Sequence, residues 1–526
     1  MNSNDTLLTG LRKALGADAT AVDLIETHIS WVLLAGEWAY KMKKPVNYDF
    51  LDFSTLEKRR HFCEEELRLN RRFSPHLYIA VVAITAGADG LEIDGSGEVR
   101  EYAVKMKRFP QEALMSSIAD RGELTPEMAD AVARELVRIH KECPRAGADS
   151  GFGRPEDIAF WVNDNFIELR SRLKSADRQE ALDGIETWCR AQDEQLATLL
   201  AGRRHDGFVR ETHGDLHLRN IAWLNGGPVF FDCIEFNEAL RWIDVMSEVA
   251  FAVMDLEDRG FATLAHRFLN RYLEANGDYE GLAVLRYYLV YRAMVRAKVA
   301  ILREEEGEMS AGEDAALWKE YDAYLDLARR YKEPEPPTII ILHGLAGAGK
   351  STLARRLVET MGAVQVRSDV ERKRLFGMEA GERSDSAVED GIYSIGAGEA
   401  TYARLAECAE VIVRSGWTAI VDATFLRRGD RERFHQLEDE LGVPLVIVEV
   451  TAPLEVLEER IRRREAEGTD PSEAGMEVLH RQMETIEALA GWELEQRVAV
   501  SATMPMEIET LVRGIQERKK VPGQTI

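Results

Sequence analysis

The chain has 526 residues, room for about three folding units at about 100–200 residues each. Its 45% hydrophobic and 30% charged residues are an ordinary globular balance, which argues against disorder or a fibrous repeat. Sixty-seven Lys and Arg against 92 Asp and Glu leave a net charge of −25, which repels polyanions at long range and speaks against nonspecific coating of nucleic acid. Met1–Gly16 lacks a basic region followed by an apolar core, and no apolar run approaches the roughly 18 residues of a membrane span. A cytoplasmic protein without membrane contact is therefore expected. Cys63, Cys143, Cys189, Cys233 and Cys408 are scattered, with no C-x-x-C pair, and read as reduced thiols.

Along the chain, strand-like runs at 29–34, 38–43, 79–85 and 102–109 give way to mainly helical periodicity from Pro126 onward. This predicts a small sheet-bearing lobe (about 20–110) followed by a large helical lobe (111–332). Within the latter, His213-Gly-Asp215-Leu-His-Leu-Arg-Asn220 sets an Asp and an Asn five residues apart in a short loop, and the strand Val229-Phe-Phe-Asp232 brings a second carboxylate. That set suits phosphoryl transfer: Asp215 orients or deprotonates an acceptor hydroxyl, while Asn220 and Asp232 offer oxygen ligands to Mg²⁺ bridging ATP phosphates. An unrelated polar turn beside a core strand is the alternative. Tyr287–Tyr291 reads as core packing.

These residues resemble the catalytic loop and metal-binding Asp of the protein-kinase-like superfamily, in the aminoglycoside and choline kinase branch. The resemblance covers about 27–331. It implies that Lys41 on the strand Trp38–Lys41 grips the α and β phosphates, with Lys43 on the same strand face as the alternative. It implies an ion-pair partner on the helix Glu57–Asn70, with Glu66 preferred to Glu65, a hinge beside the adenine at Arg108–Gln111, and a structural Asp244 bracing the catalytic loop. A G-x-G-x-x-G loop over the phosphates is missing, and only Gly36 stands at the hairpin expected to cover them.

Three prolines in Glu333–Pro337 mark a linker. Beyond it, 338–515 alternates buried-strand runs (338–343, 418–421, 445–450) with helical segments, which indicates a parallel sheet covered by helices; 516–526 reads as a tail. Gly344-Leu-Ala-Gly-Ala-Gly-Lys350-Ser351 is a full G-x-x-x-x-G-K-[ST] match between a strand and a helix. Gly344, Gly347 and Gly349 permit close backbone approach to phosphates. Lys350 reaches the β and γ oxygens, Ser351 holds Mg²⁺, and Thr352 follows at the helix start. Asp369 and Asp422 stand at strand ends, the first able to accept a hydroxyl proton, the second to organise Mg²⁺ or hold substrate. A helix cap and a structural turn are their respective alternatives. On a helix further on, Arg460 and Arg463 are cations able to close over a nucleotide, or one solvated face, and Asp470-Pro-Ser472 follows.

Residues 338 to about 500 resemble the small P-loop kinases that include gluconate kinase, chloramphenicol phosphotransferase, zeta toxin and polynucleotide kinase. The resemblance implies that Asp369 is the acceptor-side catalytic carboxylate and that Arg460 or Arg463 is a lid arginine. As a whole the chain resembles the bacterial two-domain proteins described as bifunctional aminoglycoside phosphotransferase-like and ATP-binding. The expected fold is thus multidomain α/β and α+β: a bilobal kinase-like domain over 1–332 and a P-loop NTPase after the linker. The expected function is ATP- and Mg²⁺-dependent transfer to hydroxyls of small polar acceptors at two sites. The alternative is an amino-terminal nucleotide sensor gating a P-loop kinase for a nucleotide sugar or a nucleic-acid 5′-hydroxyl. A nucleic-acid end is not favoured by the net charge.

Overall fold

The computed structural model describes residues 3–16, 22–48, 51–88, 90–302, 310–380, 382, 384, 391–467, 475–503 and 507–518. The chain divides into two compact units, Met1–Arg259 with Tyr291–Leu325, and Gly260–Val290 with Asp326–Ile526. The expected Asp470–Ser472 motif and the end of the tail lie outside the described residues.

The first unit opens with helix α1 (Ser3–Leu15), strands β1 (Val22–Glu26), β2 (Ser30–Ala35) and β3 (Trp38–Lys43), and a short pair β4 (Asn47–Tyr48) and β5 (Leu51–Asp52). Helix α2 (Leu56–Phe73) and strands β6 (Tyr78–Gly87), β7 (Gly90–Ile93) and β8 (Val99–Lys107) follow. Six strands make an antiparallel sheet in the order β1-β2-β3-β8-β6-β7. The period of two sends Tyr40 and Met42 into an apolar core with Leu11 of α1, and so turns Lys41 and Lys43 to the opposite face. The β1–β2 turn runs through Thr27–Ile29 and is closed by the Thr27 amide donating to the Ser30 carbonyl at 2.9 Å. Gly36 lies at a hairpin turn, taking β2 into β3 with φ +57°.

The helical part holds α3 (Met115–Asp120), α4 (Pro126–Glu142), α5 (Pro155–Arg172), α6 (Ala176–His205) and α7 (Val245–Asp258). Between α6 and α7 lie β9 (Val209–Glu211), β10 (Ile221–Leu224), β11 (Gly227–Phe230) and β12 (Trp242–Asp244), paired as β10–β11 and β9–β12. Asn225 and Gly226 both take positive φ, the chemistry of a tight hairpin turn, and this hairpin carries the chain from the Asp215 loop to Asp232. Helices α8 (Ala262–Asn276), α9 (Leu282–Leu302) and α10 (Ala311–Lys332) come next, and the division between units falls inside α9 and α10. Tyr287, Tyr288 and Tyr291 are buried.

In the second unit β13 (Ile339–His343), β14 (Val364–Arg367), β15 (Ala419–Asp422), β16 (Leu445–Thr451) and β17 (Arg497–Ser501) form an all-parallel sheet in the order β14-β15-β13-β16-β17. Helices α11 (Lys350–Met361), α12 (Ser368–Leu375), α13 (Ile395–Arg414), α14 (Arg428–Leu441), α15 (Leu454–Glu467), α16 (Met476–Thr485), α17 (Trp492–Glu495) and α18 (Ile508–Arg518) complete the unit. All of β13 is buried, as an apolar run covered on both sheet faces must be. The sequence division at the Pro-rich linker puts Gly260–Val290 with the first fold. In the structure those residues pack into the second unit, where α8 lies against α11 and the edge strand β14.

Candidate active sites

In the first unit, Lys41 Nζ lies 2.9 Å from Glu66 Oε1 of α2 and also pairs with Asp232. Lys43 takes the other Glu66 oxygen at 2.5 Å and pairs with Glu235. Burial disfavours both ammonium groups, but Asp232 for Lys41 and Glu235 for Lys43, each together with Glu66, outweigh it and raise both lysines above the usual range. Asp232 is opposed by its own burial yet held below the usual carboxylate range by Lys41, whereas burial raises Glu235. Glu65, the alternative partner, instead meets Arg68 at 2.8 Å.

Helix α2 is tied directly to the end of β11 and the segment after it that bears Asp232. Asn70 donates to the Glu66 carbonyl at 2.9 Å and accepts from the Cys233 amide at 3.0 Å, and Ser74 donates to the Phe230 carbonyl at 2.6 Å. Asp232 itself takes φ +64°, a left-handed conformation that Asp tolerates better than most residues, and its amide donates to the Tyr78 hydroxyl at 3.0 Å. Its side chain is 42% exposed in a cluster whose lysine neighbour Lys43 is fully buried.

Asp215 accepts from Asn220 Nδ2 at 3.0 Å, and His217 Nε2 stands 3.4 Å from it. Its burial opposes ionisation, but the His217 and His213 imidazoles hold the carboxyl below its ordinary range. His213 accepts from the Asp215 amide at Nδ1 and donates from Nε2 to the Phe231 carbonyl at 2.8 Å, which fixes one tautomer; burial lowers its pKa. The loop is braced from behind: Glu248 accepts from the Gly214 amide at 2.7 Å, Asp255 accepts from the Leu218 amide at 2.8 Å, and Arg292 donates to the Gly214 carbonyl at 3.2 Å. Asp244, expected in that role, pairs with Arg203 at 2.7 Å and accepts from the Met246 amide at the start of α7. The brace lies one and three helical turns further on, because α7 presents Glu248 and Asp255 to the loop. A cavity of about 610 Å³ lies along the expected hinge, lined by Gly36–Trp38 and Lys107–Glu112.

Replacing Lys43 with Met is expected to destabilise the protein by about 3 kcal/mol, since Glu235 loses its partner inside the protein and Glu66 keeps only Lys41. Urea unfolding checks this, and a loss under 1 kcal/mol would contradict it.

In the second unit the loop after β13 folds on its glycines. A side chain at Gly344 (φ +149°) would place Cβ 2.3 Å from the Val450 carbonyl oxygen, and one at Gly347 (φ +76°) 2.8 Å from that of Leu457. Lys350 opens α11 and donates to the Gly344 and Leu345 carbonyls, both at 2.9 Å. Burial lowers its pKa to about 8, against the pull of Asp422 and Asp369, so both carboxylates face it. The parallel register sets Arg367 opposite Asp422, and Ser351 of α11 hydrogen-bonds that carboxylate, whose pKa burial raises. Asp369 lies in the first turn of α12, which starts at Ser368 with Arg367 as its cap, so Asp369 is not the capping residue.

Arg460 of α15 donates to the Ala348 carbonyl at 3.2 Å and to the Ala502 carbonyl at 3.0 Å. Arg464, one turn on and sharing that helix face, bears electrostatically on Lys350, whereas Arg463 is exposed. Arg463 and Arg464 stand three and four residues after Arg460, both spacings that share its helix face. Gln482 of α16 accepts from the Ala346 amide at 2.8 Å.

Among the described residues no three His, Cys, Asp or Glu side chains gather to hold a metal unaided. Each site instead pairs one or two carboxylates with an amide or hydroxyl oxygen, Asp232 and Asp215 with Asn220, and Asp422 with Ser351. That donor set fits Mg²⁺, which is commonly held by few protein oxygens plus substrate phosphates.

A model of the phosphotransferase enzyme family matches residues 53–286, and a model of an AAA domain matches residues 339–489. The uncharacterized protein Rv2004c of Mycobacterium tuberculosis H37Rv is 30% identical over 455 residues, covering 86% of this chain and 88% of that protein. The chain belongs to this family of two-domain phosphotransferases. As a family member it is an ATP-dependent kinase with one kinase-type domain of each sort. The amicoumacin kinase hAmiN, solved with AMP-PNP, Ca²⁺ and Ami, is 14% identical with a TM-score of 0.41, covering 62% of this chain and 93% of its own. A gluconokinase from Sinorhizobium meliloti 1021 is 21% identical with a TM-score of 0.24, covering 36% and 91% respectively. Among the described residues no helix is long and apolar enough to cross a membrane.

Proposed function

We propose that the chain is a bifunctional phosphotransferase with two separate Mg²⁺- and ATP-dependent sites, each acting on a hydroxyl of a small polar acceptor. The observation that carries this reading is that each unit separately gathers a full set of groups: Lys41, Asp215, Asn220 and Asp232 in one, Lys350, Ser351, Asp369 and Asp422 in the other. Mg²⁺, when bound, neutralises phosphate charge and aligns the transferred group.

In the first site Glu66, its other oxygen fixed by Lys43, holds Lys41 so that its ammonium meets the nucleotide phosphates. Asn220 orients the ionised Asp215, which takes the proton of the attacking hydroxyl, and Asp232 and Asn220 present oxygens to the metal. In the second site the Gly344–Gly349 amides and the α11 amino terminus receive the phosphates, and Lys350 swings from the loop carbonyls to the β and γ oxygens. Ser351 and Asp422 hold the metal through oxygen, Asp369 receives the acceptor proton, and Arg460 and Arg464 add positive charge as the transferred group develops negative charge.

The test is ATP turnover over a panel of small hydroxyl compounds and a 5′-hydroxyl oligonucleotide, with wild type, Asp215→Asn and Lys350→Ala. Two acceptor-dependent activities, each lost with one substitution, are the expected result. Dependence of every activity on Lys350 and of none on Asp215 would replace the first catalytic site with a nucleotide sensor.

A pH dependence follows from Lys350. Its ammonium is the phosphate-binding form, and a pKa lowered to about 8 means the charge is lost as pH rises through that value. Nucleotide affinity of the P-loop site should therefore fall about tenfold between pH 7 and pH 9, by titration calorimetry. Lys350→Arg should flatten that profile, and an unchanged affinity in wild type would contradict it.

A further inference from the structure

Helix α8 belongs, by the span of the phosphotransferase family match, to the first domain, yet within the second unit it reaches the P-loop site through two parallel chains of contacts. β14 is the edge of the parallel sheet, so the outward Gln365 amide has no strand to bond; Asn270 Oδ1 accepts from it at 2.7 Å. The Gln365 side chain then donates to Asp422 Oδ2 at 2.8 Å. Two residues along the strand, Arg367 stands between Asp422 at 4.0 Å and Glu274 of α8 at 3.8 Å. All five side chains are buried.

The spacing explains why one helix serves both. Asn270 and Glu274 are four residues apart, about 6 Å along a helix, and Gln365 and Arg367 are two apart, about 6.6 Å along a strand on one face. The two rows match, so each helix residue meets one strand residue, and both strand residues converge on a single carboxylate. Glu274 draws on the Arg367 guanidinium, which otherwise neutralises Asp422. Asn270 fixes the strand whose Gln365 amide group orients the same carboxylate.

We propose that Asn270 and Glu274 are positioning residues for the P-loop site, acting through Gln365 and Arg367 to set the orientation and charge of Asp422 toward Mg²⁺. The proposal rests on the reading of Gly344–Ser351 as a nucleotide site and of Asp422 as a metal-facing carboxylate. It makes that site a composite of two chain segments separated by α9 and α10.

The experiment measures ATP affinity of the full chain in Mg²⁺ and in EDTA, for the binding component that Lys350→Ala removes, with thermal melting as the check on folding. Asn270→Leu, which cannot accept from the Gln365 amide, and Glu274→Gln, which frees Arg367 to neutralise Asp422, are each expected to cut the Mg²⁺-dependent gain in affinity about tenfold, the scale of groups that orient a metal ligand. Affinity in EDTA should stay unchanged, which a merely structural loss would not allow. Asn270→Asp keeps the acceptor oxygen and should hold the gain within about twofold of wild type. If Asn270→Leu melts early, Glu274→Gln, which keeps its size, decides the matter. Folded variants with the wild-type Mg²⁺ gain, or equal losses with and without Mg²⁺, overturn the proposal. If Lys350→Ala removes no ATP-binding component from wild type, the P-loop reading itself fails, an outcome separate from the failure of the relay.

Discussion

Asp215→Asn should lower acceptor-dependent turnover at the first site by about a thousandfold while leaving ATP affinity and the second activity within a factor of two or so. The substitution is isosteric, so contacts with Asn220 and His217 survive in outline, and the fold loses no volume. What disappears is the negative charge that, in the proposed function, receives the hydroxyl proton. His217 and His213 hold that carboxyl in its ionised form well below neutral pH, so it is a carboxylate across the physiological range. The rate of the first site should accordingly show no Asp215 titration between pH 5 and 8. A loss smaller than tenfold would remove Asp215 from the proton-transfer role, and a parallel loss of ATP binding would mark it as structural.

Lys350→Ala should lower the second activity by about a hundredfold to a thousandfold, the cost of removing one donor aimed at developing charge, and should weaken nucleotide binding at that site as well. Both effects are expected under the proposed function, in which Lys350 meets phosphate oxygens in the ground state and carries more of the charge during transfer. In the protein as folded its ammonium donates to two carbonyl oxygens of its own loop and faces the buried Asp422, which keeps Arg367 and Ser351 as partners, so truncation should cost some stability without unfolding the unit. Steady-state kinetics with each site's acceptor, paired with melting curves, separates these outcomes. Retained turnover in the folded variant would place the second chemistry elsewhere.

The residues that sequence alone makes legible are those whose chemistry is concentrated locally. Gly344–Ser351 needs its glycines at fixed offsets because backbone approach demands them, and Asp215, Asn220 and Asp232 sit within one loop and hairpin. The partners of these groups are distant in sequence and individually ordinary. Lys43–Glu235 and Asn70–Cys233 join α2 and β3 to the segment after β11, more than 150 positions away, and no spacing rule announces them. Glu248 and Asp255 read as polar breaks in an apolar helix until α7 is seen buried against the Asp215 loop. Asp244 was the more conspicuous acid, but its position at the end of β12 commits it to capping α7 and pairing with Arg203. The packing of α8 into the second unit had no sequence signal at all, since its apolar stripe says that it is buried but not against what.

Separating the two kinase folds by a single cut has a built-in penalty. A fragment beginning at Thr338 would carry β14 as a bare sheet edge, its Gln365 amide released from Asn270, and such edges invite pairing between copies and precipitation. The covering helix lies before Tyr291–Leu325, and the rest of the P-loop unit lies after it, so the first unit is interleaved with the second along the chain. Neither gene fission nor laboratory truncation at the Pro-rich linker can release an intact second unit; the two kinase-type domains are inherited, expressed and degraded as one object.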